Sequence, residues 1–218
     1  NFITGPNVNF NNMSFFSEGD VDKTLLIYDG GGIGDKFMLS RFIPKLSSDY
    51  KNNNIVFLVD ARIVWFFNDI FKNLNNVRIV SDKNPNAIGH FHYHCNLLSL
   101  LKNMNITYES LFTTELYKTV NTTIGGECKK IIDTFNDNTY ILNWKGNPKN
   151  PHERHNRMMD LANAIPLFKM TNIKWIVLTQ NVTTQEKKIL NKYDVKYYGN
   201  NIDKDKAFYD TISILRNV

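Results

Sequence analysis

The amino-acid sequence contains no long apolar run. Its longest uninterrupted apolar stretches, residues 55–59 and 63–67, are far shorter than the roughly 18–20 residues that a helix needs to cross a bilayer. Residues 1–23 also lack a basic segment followed by an apolar one, which is the pattern of a secretory signal. We therefore expect no membrane span, and the sequence favours a cytoplasmic location.

Cysteine is scarce as well. The chain has two cysteines, Cys95 and Cys128, and neither belongs to a Cys-x-x-Cys pair. This excludes a disulfide framework, so we expect two free thiols.

Three histidines raise the separate question of a zinc site. His90, His92 and His94 alternate along the chain and would share one face of a strand. Alternate side chains on a strand lie about 6.6 Å apart and reach one ion poorly, so the spacing disfavours zinc. We expect no metal, and the favoured interpretation of the sequence includes no cofactor.

A strong excess of positive charge is missing too. The 218 residues carry 26 Lys and Arg against 21 Asp and Glu, for a net charge of +5, and the basic residues are spread out except between residues 145 and 157. A nucleic-acid-binding protein would show a dense basic face with interleaved aromatic residues, or a known reader motif, and neither is present. We expect small anionic ligands rather than nucleic acid as partners.

Short apolar runs alternate with segments of helical period along most of the chain. The predicted strands are 24–28, 55–59, 77–80, 90–95, 140–144, 175–179 and 195–198. The predicted helices are 35–47, 61–74, 96–104, 126–135, 159–168, 184–193 and 206–216. Strands that alternate with helices indicate parallel sheets with right-handed crossovers, so the predicted fold class is α/β with two Rossmann-like domains.

The turn Asn136–Asn138 is the predicted boundary between these domains. The predicted parts are an irregular lead-in at residues 1–22, an N-terminal domain at 23–137 and a C-terminal domain at 138–218. The last part holds three predicted strands, whereas a complete nucleotide-binding domain usually has about five or six. We therefore expect a truncated second domain.

A glycine-rich turn, Asp29-Gly-Gly-Gly-Ile-Gly-Asp35, directly follows the first predicted strand. Glycine lets a ligand approach main-chain N–H groups, and the following helix offers the positive end of its dipole to an anion. Gly30, Gly32 and Asp60 also match part of the dinucleotide-binding pattern, but Asp35 stands where the third glycine of that pattern belongs. The residues alone leave three interpretations: a ligand-binding turn, a nicotinamide or flavin site, or an aspartate that only stabilises the helix start.

Three parts of the sequence carry a resemblance: Leu26–Asp35 with Phe42–Leu46, then Tyr93–Leu100, then Trp144–Pro148. The first resembles the N-terminal motif of glycosyltransferase family 9, which holds the lipopolysaccharide heptosyltransferases and tetratricopeptide-repeat-associated relatives. The second is similar to the segment that introduces an acceptor-domain helix in the repeat-associated members. The third resembles the start of their donor domain, and the three stand in the family's order.

The resemblance implies a GT-B-like fold and an inverting, metal-independent glycosyltransferase. Such an enzyme moves a sugar from a nucleotide-sugar donor, an ADP-linked sugar being one form, to a hydroxyl of a sugar or glycan acceptor. Asp35 would be the general base, taking the proton of that hydroxyl. The expected acceptor-binding residues are Gly31, Gly32, Gly34 and His94. The expected donor-binding residues are Lys145, Asn147, Arg154, Arg157 and Gln180, and the cations among them would neutralise the leaving diphosphate.

Two other functions stay open at the level of the sequence. In the family a further donor segment follows the helix that is predicted here to end at Arg216, and this chain stops at Val218. A non-catalytic Rossmann-like module that binds a glycan or a nucleotide is therefore the main alternative. A nicotinamide-dependent oxidoreductase with its cofactor at residues 30–35 is the third.

Overall fold

The structure, a computed structural model, describes residues 14–28, 32–109, 124–146 and 158–217. These residues form two compact units that divide between residues 121 and 122. Each unit contains a parallel sheet with helices, so the predicted α/β, Rossmann-like fold class is confirmed. No helix in the described ranges is both long enough and apolar enough to cross a membrane.

The first unit is built on a four-stranded parallel sheet in the order β3-β2-β1-β4. Its strands are β1 (Thr24–Tyr28), β2 (Asn54–Val59), β3 (Val77–Ser81) and β4 (Tyr93–Asn96). Its helices include α1 (Ile33–Leu39), α2 (Ile43–Asp49), α3 (Val64–Ile70) and α4 (Leu100–Asn103), with 3-10 turns at Ser40–Phe42, Ala61–Ile63, Pro85–Ile88 and Leu97–Ser99. The four strands predicted in this part of the sequence are therefore present. Three of them agree to within one residue, whereas β4 begins three residues later than predicted, so that His90 and His92 precede the strand and do not share its face with His94.

The segment predicted as one helix over residues 35–47 forms two helices. A 3-10 turn at Ser40–Phe42 separates α1 from α2, and Pro44 lies in the first turn of α2. Proline has no N–H to donate, and the N–H groups of a first helical turn have no partner within the helix in any case. Pro44 therefore starts a new helix at no cost in hydrogen bonds.

Both faces of the first sheet are buried. On one face, Phe57 of β2 packs against Phe67 of α3 with ring centroids 5.1 Å apart, and Phe37 of α1 meets Phe66 at 4.6 Å. The other face holds a second buried apolar cluster of Leu26, Val56, Leu58, Val80 and Ile88. Each such side chain contributes about 1.5–3 kcal/mol when it is buried, so these two layers hold β1 and the start of α1 firmly in place.

The described part of the lead-in, residues 14–22, forms no regular element beyond one bridge to β4. The Ser14 N–H donates to the His94 carbonyl oxygen at 3.2 Å. Phe16 is buried, with its ring centroid 4.7 Å from that of Tyr50 and 5.9 Å from that of Tyr93. Aromatic packing therefore fixes this segment against the sheet.

The second unit has a three-stranded parallel sheet in the order β5-β6-β7. Its strands are β5 (Thr139–Leu142), β6 (Lys174–Val177) and β7 (Lys196–Tyr197). Its helices are, within the described residues, α5 (Gly126–Ile132), α6 (Ile165–Phe168) after a 3-10 turn at Leu161–Ala164, α7 (Thr184–Lys192) and α8 (Tyr209–Leu215). The three strands predicted for this domain are present, and each is shorter than the sequence indicated.

Helix α5 belongs to the second unit, although the sequence placed it before the domain boundary at Asn136–Asn138. Its buried side chains Cys128 and Ile131 share an apolar cluster with Ile176 of β6 and Ile214 of α8. A separate cluster covers the other face of the sheet and includes Trp144, Leu161, Ala164, Phe168, Val177, Val182, Leu190 and Val195. The sheet is therefore the middle of three layers, and the division of the chain precedes α5.

Candidate functional site

The order of the strands in the first sheet defines where a ligand is expected. From β1 the chain crosses to β2 on one side, while β4 lies on the other side of β1. In open α/β sheets, ligands bind beyond the carboxyl ends of the strands at the point where the connections part in this way. The glycine-rich turn follows β1 at that point. Residues 29–31, and with them the expected acceptor residue Gly31, lie outside the described residues.

Asp35 lies in the first turn of α1, and its side chain is half-buried. The Gly32 N–H donates a 2.6 Å hydrogen bond to Asp35 Oδ2. This bond satisfies one of the N–H groups that a helix start leaves unpaired, and it fixes the orientation of the carboxylate. Among the described residues no further donor contacts Asp35, so within that part of the chain the second oxygen, Oδ1, has no hydrogen-bond partner.

Neither Gly32 nor Gly34 is required by packing against the described residues. Gly32 has an extended backbone with φ −74° and ψ 175°, and a Cβ there would meet only Asp35 Oδ2, at an ordinary 3.6 Å. A Cβ at Gly34 would have no described atom within 4 Å. Glycine inside a helix costs about 0.5–1 kcal/mol relative to alanine, so Gly34 is an unfavourable residue for folding alone. Open space beside the main chain is what a ligand needs for close approach.

Asp60, the acidic residue that fitted the dinucleotide pattern, is already engaged. Asp60 Oδ1 accepts hydrogen bonds from the Arg62 N–H and from Arg62 Nε, both at 2.9 Å, and Oδ2 accepts from Arg62 Nη2 at 2.6 Å. The hydrogen bonds from Arg62 lower the pKa of Asp60, and the positive charge of the buried Lys36 adds to this effect. A cofactor ribose would therefore have to share this carboxylate with Arg62, and the geometry gives no independent support to the oxidoreductase.

His94 lies within the buried part of β4, opposite Leu26 of β1. Its ring centroid is 5.8 Å from that of Tyr28 and 6.1 Å from that of Phe91. Burial lowers the pKa of His94, because the apolar surroundings disfavour the charged imidazolium. The expected neighbourhood of β1 and β4 is therefore present, and His94 packs beside Tyr28 and Phe91, where its neutral form is favoured.

The histidine series does not form a metal site. His92 Nδ1 accepts a 3.0 Å hydrogen bond from the Thr24 N–H at the start of β1, and its ring contacts that of His90 at 4.8 Å. In the described ranges no group of three or more His, Cys, Asp or Glu side chains is arranged to hold a metal ion. His92 is thus tied to the amino end of the sheet, away from the carboxyl ends of the strands.

In the second unit the loop after β5 brings Lys145 to the carboxyl edge of the sheet, as expected, but its ammonium group is already paired. Lys145 Nζ lies 2.6 Å from Glu186 Oε2 and donates to the Asn181 carbonyl oxygen at 3.1 Å. The Lys145 side chain is only 7% exposed. In this structure the positive charge of Lys145 is neutralised by a carboxylate of the protein.

Glu186 also caps the N-terminus of α7. Its Oε2 accepts from the Thr183 N–H at 2.7 Å, and Thr183 Oγ1 accepts from the Glu186 N–H at 3.2 Å, which is a complete capping box. Glu186 Oε1 accepts from Trp144 Nε1 at 3.0 Å. Burial acts to raise the pKa of Glu186, but the bonds from Lys145, Thr183 and Trp144 outweigh it and lower the pKa to about 2.

Amide side chains occupy the ends of the three strands of this sheet. Asn143 Oδ1 accepts from Thr179 Oγ1 at 2.6 Å, and Asn200 Oδ1 accepts from the Asn181 N–H at 3.2 Å. Gln180, an expected donor-binding residue, is exposed between them. The amide oxygens are used internally, while Asn143 and Asn200 are exposed residues whose N–H groups have donor capacity. Such groups suit a ligand rich in hydrogen-bond acceptors.

The positive charge of the protein is unevenly distributed along the chain. Residues 1–121 contain 11 Lys and Arg and 11 Asp and Glu, whereas residues 122–218 contain 15 Lys and Arg and 10 Asp and Glu. The entire net charge of +5 therefore belongs to the second unit. The expected donor-binding residues Asn147, Arg154 and Arg157 are part of this unit and lie outside the described residues.

Sequence reasoning missed Glu186, Asn143 and Asn200. The pattern Thr183-x-x-Glu186 before an apolar run is a recognised helix-start signal and could have identified the capping box. No comparable pattern marks the two asparagines, because the chain is rich in asparagine throughout.

Comparisons with protein-family models, with curated proteins and with solved structures found no match to this chain.

Proposed function

We propose that the chain belongs to an inverting glycosyltransferase of the GT-B kind, which moves a sugar from a nucleotide-sugar donor to an acceptor hydroxyl without a metal. The acceptor binds at the glycine-rich turn of the first unit, and the donor binds at the carboxyl edge of the second. The observation that carries this proposal is the position of Asp35. Its carboxylate is part-exposed at the switch point of the first sheet, with one oxygen fixed by Gly32 and the other without a partner among the described residues.

In this reaction Asp35 Oδ1 accepts the proton of the acceptor hydroxyl as the hydroxyl oxygen attacks the anomeric carbon. The attack forms a carbon–oxygen bond on the face opposite the leaving group. The bond between the anomeric carbon and the diphosphate oxygen breaks, and the nucleoside diphosphate leaves with the electron pair. The configuration of the sugar therefore inverts, and the proton remains on Asp35 until it passes to water.

Two further observations support the assignment of roles. Gly32 and Gly34 leave space beside the main chain that none of the described residues fills. The second unit carries all of the net positive charge, and a diphosphate that leaves with added negative charge is stabilised by such an environment. Lys145 is paired with Glu186, so this stabilisation is assigned to Arg154 and Arg157.

The test is the Asp35→Asn variant, measured as release of nucleoside diphosphate from ADP-, UDP- and GDP-linked sugars with a panel of sugar acceptors. Asparagine can still accept the Gly32 N–H, so we expect the variant to fold, but it cannot take up the proton. We expect the turnover rate to fall by about 100-fold or more. Asp49→Asn, at an exposed carboxylate that pairs with Lys45, is the matched control and should keep full activity.

A non-catalytic module that binds a glycan or nucleotide is the second candidate. The hydrogen bond from Gly32 to Asp35 favours it, because a helix-capping role alone accounts for that bond. Calorimetry separates the two functions. Sugar-nucleotide binding without turnover in any acceptor mixture, together with equal affinities of wild type and Asp35→Asn, would establish the module and reject the transferase.

A further inference from the structure

The Glu186 side chain joins two stretches of chain, residues 144–145 and residues 181–186, at the carboxyl edge of the second sheet. Its Oε1 accepts from the indole N–H of Trp144, and its Oε2 accepts from Lys145 Nζ and from the Thr183 N–H. Lys145 Nζ also donates to the Asn181 carbonyl oxygen at 3.1 Å, which links the loop after β6 to the network. One carboxylate therefore fixes the start of the loop after β5 relative to the loop after β6 and the start of α7.

The charges in this network are largely shielded from water. The Lys145 and Glu186 side chains are 7% and 17% exposed, in contrast to the Lys130–Glu127 pair of α5, where they are 74% and 57% exposed. A shielded ion pair with further hydrogen bonds holds its geometry, because loss of one partner leaves an uncompensated charge. An exposed pair is worth little.

We propose that Glu186 is a positioning residue for the donor: it holds Trp144 and Lys145, at the start of the loop after β5, at the carboxyl edge of the sheet, and Lys145 serves as its counter-ion rather than as a ligand of the diphosphate. This inference rests on the proposed function, because the sequence leads from Lys145 into the basic stretch that ends at Arg157. Trp144 is the third member, since its ring packs in the core and its indole N–H reports the position of the start of the loop.

Glu186→Gln changes the binding of a nucleoside diphosphate in opposite directions under the two possible roles of Lys145, and Lys145→Met is measured beside it. Glu186→Gln and Lys145→Met both release the start of the loop, so we expect each to weaken binding of ADP or UDP by about 10-fold or more, as misplaced binding groups do. The double variant should bind no worse than either single variant, because both act on the same network. If Lys145 contacts the diphosphate instead, Glu186→Gln frees its charge and binding becomes tighter, which would overturn the inference.

The indole N–H signal of Trp144 in the unliganded protein provides a readout that does not depend on the donor. We expect Glu186→Gln to shift this proton–nitrogen resonance and to speed its exchange with water. The indole of Trp175 should stay unchanged, because it donates to the Leu167 carbonyl oxygen. Trp144→Phe identifies the resonance, and Glu127→Gln is the matched control at an exposed pair.

These measurements separate the failure of this inference from the failure of the proposed function. Wild-type protein that binds no nucleoside diphosphate contradicts the donor site, and the Trp144 resonance still decides whether Glu186 positions the start of the loop. Wild-type binding that is unchanged in Glu186→Gln, at temperatures where both proteins are folded, rejects Glu186 as a positioning residue. An unmoved Trp144 resonance rejects it as well.

Discussion

Gly199 lies so close to Thr179 that a methyl group on its Cα would overlap the Thr179 carbonyl group. The same methyl group would come within 2.5 Å of the Leu178 carbonyl oxygen. Both contacts are with backbone, which cannot rotate away as a flexible side chain would. The chain after β7 therefore crosses the end of β6 at a distance that only glycine permits, and this crossing places Asn200 beside Asn181.

We expect Gly199→Ala to lower the free energy of unfolding by about 3 kcal/mol, because the added carbon forces the backbone of two strand ends apart. Denaturant titration followed by circular dichroism measures the change. Gly126→Ala is the control, since a Cβ at this first residue of α5 has no described atom within 4 Å. Equal stability of the Gly199 variant and the wild type would show that the crossing relaxes freely.

Much of the fold could be predicted from local pattern. The branched and aromatic run at Thr24–Tyr28 and the apolar run that ends at Val59 predicted their strands to within one residue, because buried parallel strands leave an uninterrupted apolar signature. Residues 35–47 form two helices rather than the single helix predicted, and Pro44 in the first turn of α2 is the residue in the sequence that marks the interruption. The placement of α5, in contrast, is decided by contacts of Cys128 and Ile131 with distant elements.

The candidate site was less predictable than the fold. The position of Asp35 after β1 is a local property, and its occurrence at the start of α1 follows from the sequence. The pairing of Lys145 with Glu186 joins residues 41 positions apart, so no local pattern distinguishes this lysine from an exposed one. Sequence reasoning can place cations at a sheet edge, but it cannot decide which of them are already neutralised by the fold.

We expect His94 to lower the free energy of unfolding at acidic pH. Burial lowers the pKa of the folded-state imidazole below its ordinary 6.5, so below pH 6.5 the unfolded chain binds a proton that the folded protein does not. Stability is then lost as the pH falls, by up to about 1.4 kcal/mol for each pH unit, until the folded-state pKa is reached. We expect His94→Gln to reduce the difference in unfolding free energy between pH 7.5 and pH 5. His90→Gln, at an exposed histidine, is the control, and an unchanged difference in the His94 variant would contradict the prediction.

Glu186 contributes stability over a different range of pH. Its pKa of about 2 in the folded protein lies below the ordinary 4.5, so its contribution is complete above pH 4.5 and is lost as the pH falls towards 2. We expect Glu186→Gln to lower the free energy of unfolding by about 1–2 kcal/mol at pH 7, after allowance for screening by water. The difference from wild type should shrink steadily between pH 4.5 and pH 3. A difference that persists unchanged at pH 3 would mean that packing of the side chain, rather than its charge, provides the stability.

The two cysteines should be unreactive in the folded protein. Burial raises the pKa of the Cys95 thiol to about 12, and burial together with the nearby carboxylates of Asp210 and Asp203 raises that of Cys128 to about 12. Cys128 Sγ also donates to Asp210 Oδ1 at 3.0 Å, which holds the thiol in its protonated form. Because the thiolate is the reactive species, we expect no reaction of either residue with a disulfide reagent at pH 8 until denaturant is added, when both should react. Cys95→Ala and Cys128→Ala assign the signals, and a fast native reaction that disappears in Cys128→Ala would mean that the contact between α5 and α8 opens in solution.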